Sequence, residues 1–286
     1  MRKTTALRNL LKSGKTVVAP GVYDGISARL VAQAGFPAAY ASGGAIARGN
    51  GIPDLGLLSL AEIAARLEQI VDVVDIPVIA DADNGYGNAL NAQRAAHAFE
   101  RAGVAAFHLE DQTFPKRCGH YSDKSVVPTG EMVGKLKAVR DALHDPDFIV
   151  IARTDAIAVE GFDAAIARCH AYVEAGADVA FLDAPTSEQQ ILEIARRLPG
   201  WKLINMFQGG KTPLLPVGRL EQIGYSIVII PSDLQRAAIK AMQRTLDAIA
   251  RDGSSVGVLG DLAGFDERET LVATAEFLDR GKRYAL

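Results

Sequence analysis

Cysteine is nearly absent from this chain. Its 286 residues hold two, Cys118 and Cys169, too few for a disulfide framework and suited to a reducing compartment. An excess of charge of one sign is also missing. Lys and Arg total 31 against 34 Asp and Glu, a formal net charge of -3, which argues against nucleic acid or an anionic membrane surface as a partner. Nowhere do roughly 18 apolar residues run together, as a membrane span needs. The first 15 residues are charged throughout and lack the apolar core of a signal peptide. No low-complexity stretch or linker divides the chain. What remains is a cytoplasmic globular protein, with hydrophobic residues at 49% and charged residues at 23%, a balance that argues against disorder.

Short apolar runs recur, each followed by a helical pattern. The runs expected to be strands are 15–20, 38–43, 77–83, 105–111, 148–155, 179–184, 202–207 and 226–231. Such continuous runs fit strands buried on both faces, which a parallel sheet requires. Between them lie segments with i, i+3, i+4 apolar spacing. In 59–74, Leu60, Ile63, Leu67, Ile70 and Val71 share one face. The segment 131–143 is opened by Thr129 as N-cap, and 162–178 stops at Gly176. Ala-Gly pairs at 34–35, 102–103 and 175–176 precede strands, as helix-to-strand turns do. Eight strands alternating with helices predict an α/β fold of the (β/α)8 TIM-barrel kind, with one domain over 1–286. The residues from about 252 to 286 form a helical extension, patterned near Glu267–Arg280, that packs on the barrel or on a neighbouring subunit.

In such a barrel the carboxyl ends of the strands carry function. Those ends read Tyr40, Ser42, Gly43 and Gly44; Asp81 and Asp83; Glu110; Arg153 and Asp155; Asp183; and Asn205. So many polar groups at strand ends point to an enzyme. Asp81 and Asp83, two apart, are expected to face the same way and to repel unless a proton or cation lies between them. With Glu110 and the loop residue Asp54 they make a hard-oxygen set suited to Mg²⁺. The structural alternative is that Asp83 opens the turn 83–87 and Asp81 caps a helix. The amides of Ser42-Gly43-Gly44 could bind a carboxylate or oxyanion, although a Gly pair in a βα turn also occurs for conformational reasons alone. Arg153 would pair with a substrate carboxylate, or else with Asp155 or Asp183. The long loop after the fourth strand crowds Lys116, Arg117, Cys118 and His120. Cationic neighbours lower a thiol pKa, which makes Cys118 a proton donor or acceptor near neutral pH, on a loop that reads as a lid. Cys169, on a helical pattern, reads as a small buried hydrophobe.

The pentapeptide Lys116–His120 resembles the signature of the isocitrate lyase and phosphoenolpyruvate mutase superfamily, in its lyase branch. Further motifs fall in that family's order: Tyr40–Gly44, Pro53-Asp54, Asp81–Gly87, Glu110–Gln112, Ala152–Ala156, Ala158–Gly161 and Asn205–Pro213. The resemblance covers about residues 5 to 250, and the chain's short length is similar to the 2-methylisocitrate and 2-alkylmalate lyases. It implies a barrel with its eighth helix swapped between subunits of a homotetramer, and Mg²⁺ (or Mn²⁺) held through Asp81 and Asp83 with Asp54 and Glu110. Ser42, Gly43, Gly44 and Gly119 would hold the carboxylate end of a small substrate, and Arg153, Asp183, Asn205 and Arg236 its other polar groups. Cys118, with Lys116 and His120 beside it, would deliver a proton, and Tyr40 would serve as base. The implied reaction cleaves a carbon–carbon bond next to a 2-hydroxy acid. Oxaloacetate hydrolysis and a carboxyphosphonoenolpyruvate rearrangement are the alternatives. Asp183 stands where 2-methylisocitrate lyases carry Glu, and Gln208 where relatives with an Asn-Met-x-Glu-Gly-Gly motif do, so substrate identity is the open question; Arg268 is a further candidate for a substrate arginine.

Overall fold

In a computed structural model, which describes residues 1–116 and 124–284, eight parallel strands close into a barrel in sequence order. A first helix, α1 (Lys3–Lys12), leads into β1 (Val17–Val22), α2 (Gly25–Gln33), β2 (Ala39–Ala41), α3 (Gly43–Gly49) and α4 (Leu60–Val71). Then follow β3 (Val78–Asp81), α5 (Ala89–Arg101), β4 (Ala106–Glu110), α6 (Thr129–Ala142), β5 (Ile149–Thr154) and α7 (Phe162–Glu174). The circle is completed by β6 (Val179–Leu182), α8 (Glu188–Arg197), β7 (Trp201–Asn205), α9 (Val217–Gln222) and β8 (Ile227–Ile230). Helices α10 (Asp233–Asp252), α11 (Phe265–Leu271) and α12 (Thr274–Tyr284) come last.

All eight expected strands are present, with no end shifted by more than two residues. The helix ends follow local chemistry. Ser59 caps α4 by accepting from the Glu62 amide while Glu62 reaches back to the Ser59 amide, a reciprocal box that fixes the first turn. Leu67, Ile70 and Val71 are buried as the spacing predicts. Thr129 is not the cap of α6 but its first residue, after Pro128, whose fixed φ suits entry into a helix. Gly35, Gly103 and Gly176 take φ of 81°, 79° and 110° just after α2, α5 and α7, the left-handed step that lets a helix stop and turn into a strand.

Inside the barrel an apolar layer of Ala19, Ile79, Ala106, Ile149, Ile151, Phe181, Leu203, Ile227 and Ile229 is packed shut. A second layer, including Val78, Ala80, Phe107, Val150 and Ala152, faces the helices. Strand alternation therefore sends every second residue inward. The ring closes where β1 pairs with β8, Val17 opposite Ile227. Gly21 lies so near this seam that a Cβ there would stand 2.0 Å from the Pro231 carbonyl oxygen, a place no other residue can occupy.

Candidate active site

Continuing inward positions upward from the apolar layer leads directly to the polar mouth. Ile79 leads to Asp81, Ala106 to His108 and then Glu110, Ile151 to Arg153, Phe181 to Asp183 just past the end of β6, and Leu203 to Asn205, in steps of two residues. Around them lies a cavity of about 310 Å³ lined by Tyr40, Ser42, Gly44, Asp54, Asp81, Glu110, Lys116, Arg153, Asp183, Asn205 and Arg236. These eleven are all residues the sequence had singled out. Gly43 stands beside Asp81, where a Cβ would lie 2.8 Å from the Asp81 Oδ2; at Gly44 it would lie 2.7 Å from the Asp54 Oδ2. The glycine pair thus lets two carboxylates approach the backbone of α3.

One expectation about the carboxylates is corrected by the structure. β3 ends at Asp81, and Asp83 lies beyond it with φ of 46°, so strand alternation does not reach Asp83 and the two side chains are not strand neighbours on one face. The expected repulsion among the acids is met by a cation of the chain itself. Lys116 enters between them, its ammonium 2.5 Å from Asp54 Oδ1 and 2.6 Å from Asp83 Oδ1. The three acids Asp83, Asp81 and Asp54 outweigh burial and push the Lys116 pKa well up, so the lysine stays charged. Burial, with repulsion from Asp81 and Asp54, raises Asp83 to about 6, against the pull of Lys116. Asp81 is held down at about 2; burial opposes this, but its polar and cationic neighbours His108, Lys116 and Arg153 prevail. Burial raises Glu110 well above the carboxylate range. One Glu110 oxygen, Oε1, is buried without a hydrogen bond among the described residues. A concentration of hard oxygens that draws in an ammonium and still leaves an acceptor unpaired fits a divalent cation that keeps part of its water shell.

Arg153 is more engaged than a free carboxylate clamp would be. It forks onto Asp155 at 2.8 and 3.0 Å, reaches Asp183 at 3.0 Å and lies 3.4 Å from Glu110. Asp155 is also bound by the buried Lys124 at 2.6 Å. The guanidinium is thus oriented from behind, with its face over the Phe181 ring. Asp183 Oδ1 and Asn205 Oδ1 are buried and carry no hydrogen bond among the described residues, which leaves both aimed at whatever occupies the cavity. Arg236 stacks over Phe207 and donates to the Gln208 carbonyl oxygen at 3.0 Å. Cys118, Gly119 and His120 lie outside the described residues.

His108 was not anticipated from the sequence. It is fully buried, its Nε2 2.8 Å from the Tyr40 hydroxyl and 3.4 Å from Asp81 Oδ1, and the Tyr40 hydroxyl also lies 3.4 Å from Asp81 Oδ2. Burial lowers the His108 pKa to about 4, so the ring is neutral at pH 7. Burial and the Asp81 charge push the Tyr40 phenol well above its usual value. A sequence signal existed: His108 precedes Glu110 by two and shares its inward face. Phe207, Pro231, Ser232, Gln235 and Ile239, which also line the cavity, carried no such signal. The predicted hydrophobe Cys169 is buried on α7, and burial raises its thiol well above normal.

Residues 7–250 match the family model described as phosphoenolpyruvate phosphomutase. The 2,3-dimethylmalate lyase of Eubacterium barkeri is 42% identical over 286 residues, covering 100% of this chain and 99% of that one. The 2-methylisocitrate lyase of Bacillus subtilis (strain 168) is 42% identical over 272 residues, 95% of this chain and 89% of that one. Among solved structures, a 2,3-dimethylmalate lyase superposes with a TM-score of 0.93 at 35% identity, covering 99% and 95% of the two chains. A phosphonopyruvate hydrolase complexed with oxalate and Mg²⁺ superposes with a TM-score of 0.91 at 32% identity, covering 99% of each.

Proposed function

The chain belongs to the phosphoenolpyruvate mutase/isocitrate lyase superfamily, as a carbon–carbon lyase, and from that premise we propose that it cleaves a 2-hydroxy di- or tricarboxylate of the 2-alkylmalate or 2-methylisocitrate type. The products are an α-oxo acid, such as pyruvate, and a second carboxylic acid. The observation that carries this reading is the hydrogen-bonded set Tyr40, His108 and Asp81, of which Tyr40 and Asp81 line the same cavity as Arg153, Asp54 and Glu110.

Asp81, with Asp83, Asp54 and Glu110, would hold Mg²⁺ (or Mn²⁺), which supplies positive charge to the oxygen that becomes a carbonyl. Ser42, Gly43 and Gly44 bind the carboxylate end, and Arg153, Asp183, Asn205 and Arg236 meet the remaining polar groups. Breaking the bond requires removal of the hydroxyl proton. Tyr40 is the group placed for this, its hydroxyl sharing a hydrogen bond of 2.8 Å with the neutral His108 ring and lying 3.4 Å from Asp81 Oδ2. The carbanion left on the departing fragment then takes a proton from Cys118, with Lys116 and His120 supporting the thiol and Gly119 contributing to substrate binding. The same reading places the protein in the cytoplasm as a homotetramer, the whole chain acting as one barrel unit whose extension from about 252 docks on a partner and swaps its last barrel helix.

The experiment is pyruvate release, with Mg²⁺ and with EDTA, from 2-methylisocitrate, 2,3-dimethylmalate and other 2-alkylmalates, with acetate release from oxaloacetate in parallel. Metal-dependent pyruvate from one of the hydroxy acids is expected. Silence on all of them with acetate from oxaloacetate overturns the lyase substrate in favour of hydrolysis.

A further inference from the structure

Far from the mouth, the outer wall carries a second group of metal-ligating side chains. His97 and Glu100 sit in the last turns of α5, and His144 lies in the connection from α6 to β5. Helices of this barrel run antiparallel to the strands they follow, so all three residues lie at the amino-terminal end of the strands, opposite the cavity. One ligand atom from each lies within 4.8 Å of the others. His144 Nδ1 is 3.1 Å from Glu100 Oε2, and the two imidazole rings are 5.5 Å apart, tilted by 36°.

The arrangement is held from behind. Glu100 Oε1 accepts the backbone amides of His144 and Asp145 at 2.8 and 2.7 Å, which fixes the carboxylate and leaves Oε2 directed at the rings. The His97 ring has no hydrogen-bond partner among the described residues. A tetrahedral ion at about 2.0–2.1 Å from its ligands has edges of about 3.3 Å, so the Glu100–His144 edge already has that length. His97 offers its ligand atom within 4.8 Å of the other two, and drawing it in to that edge length completes a three-ligand face with a fourth position open to water.

We propose that His97, Glu100 and His144 form a binding site for a borderline divalent cation of the Zn²⁺ class, structural rather than catalytic. Two imidazoles and one carboxylate select for such an ion over Mg²⁺ or Ca²⁺, which prefer oxygen ligands. Arg94 and Arg101 line the same depression. Their charge opposes ions held mainly by charge and leaves ligand chemistry to decide. Bound there, the ion would tie the end of α5 to the segment that feeds β5. The inference does not depend on the lyase reading.

The test is titration of the full chain with Zn²⁺ by calorimetry in excess Mg²⁺, which keeps the oxygen site at the mouth occupied. One Zn²⁺ per chain is expected, with a rise in unfolding temperature on binding. Each of His97→Ala and His144→Ala is expected to weaken binding at least tenfold and to abolish the thermal shift, while Mg²⁺-supported turnover stays unchanged. Undiminished Zn²⁺ uptake in the H97A/H144A double variant assigns the ion elsewhere and overturns the proposal. So does the absence of uptake by the unaltered chain. Both side chains are partly exposed, so the variants are expected to fold; circular dichroism checks this, and His144→Gln offers a milder substitution.

Discussion

At His108 a polar ring occupies a barrel layer that neighbouring strands fill with Ile151 and Phe181, its register partner and its edge-on ring neighbour. A fully buried imidazole needs a reason, and its hydrogen bond to Tyr40 supplies one. Tyr40→Phe and His108→Leu are each expected to lower kcat by about 10²-fold or more with KM changed little, the signature of losing a group that moves a proton in the reaction step; steady-state kinetics on the identified substrate decides this. Cys118→Ser is expected to cost at least about 10²-fold in turnover for the same reason, and near-normal turnover would remove the thiol from the mechanism. Gly43→Ala introduces a Cβ 2.8 Å from the Asp81 carboxylate. The Mg²⁺ concentration for half-maximal activity is expected to rise about tenfold, since displaced carboxylates hold the ion poorly. Most of these residues were legible because polar side chains at strand ends stand out against apolar runs. His108 was obscured because it lies inside such a run, where a single polar residue reads as part of the strand.

At the scale of elements, the unit behind the cavity is the buried chain of charges from Lys124 through Asp155 to Arg153 and Asp183. Asp155 lies below its ordinary value of 3.8: burial acts against this, and the charges of Arg153 and Lys124 outweigh it. A carboxylate depressed in the folded state contributes stability above its unfolded pKa and loses it as pH falls through the folded value. Melting curves below pH 4 are therefore expected to show an acid-labile contribution that Asp155→Asn removes. That substitution takes from Lys124 its 2.6 Å partner and from Arg153 one of its three carboxylates, and is expected to cost about 3 kcal/mol at neutral pH, measured by denaturant unfolding. Element order was readable from the sequence because parallel strands are apolar on both faces. Element ends were less so: the run at 77–83 reads as one strand, yet the left-handed backbone of Asp83 stops β3 two residues earlier. The pattern near Glu267–Arg280 likewise divides into α11 and α12 at Ala273, which has φ of 59°, a break that no Gly or Pro announces.

For the whole molecule, the helices after β8 differ from the rest. Among the described residues, α10 buries only Gln235 and Ala248, and α11 and α12 bury none. Ile239, Met242, Leu246 and Ile249 form an exposed apolar stripe along α10, and Phe265, Phe277 and Leu278 are exposed beyond it. An exposed apolar stripe of this kind is expected to be covered by another protein surface. Light scattering is expected to give four times the chain mass, and Leu246→Lys a smaller species; a monomer for the unaltered chain would remove the tetramer. The amphipathic pattern of this tail was visible in the sequence, but which surface it covers was not, because periodicity identifies an apolar face without naming its partner.

The seam at Gly21 acts as a key. Strands β1 and β8 stand at opposite ends of the strand order, and their pairing closes the ring. A slip of one residue would set the side chain of Pro20 or Val22 against the Pro231 carbonyl, where even a methyl group cannot fit. The close approach at Gly21 thus favours one register for the closed ring, the one that brings the polar strand ends together around the mouth.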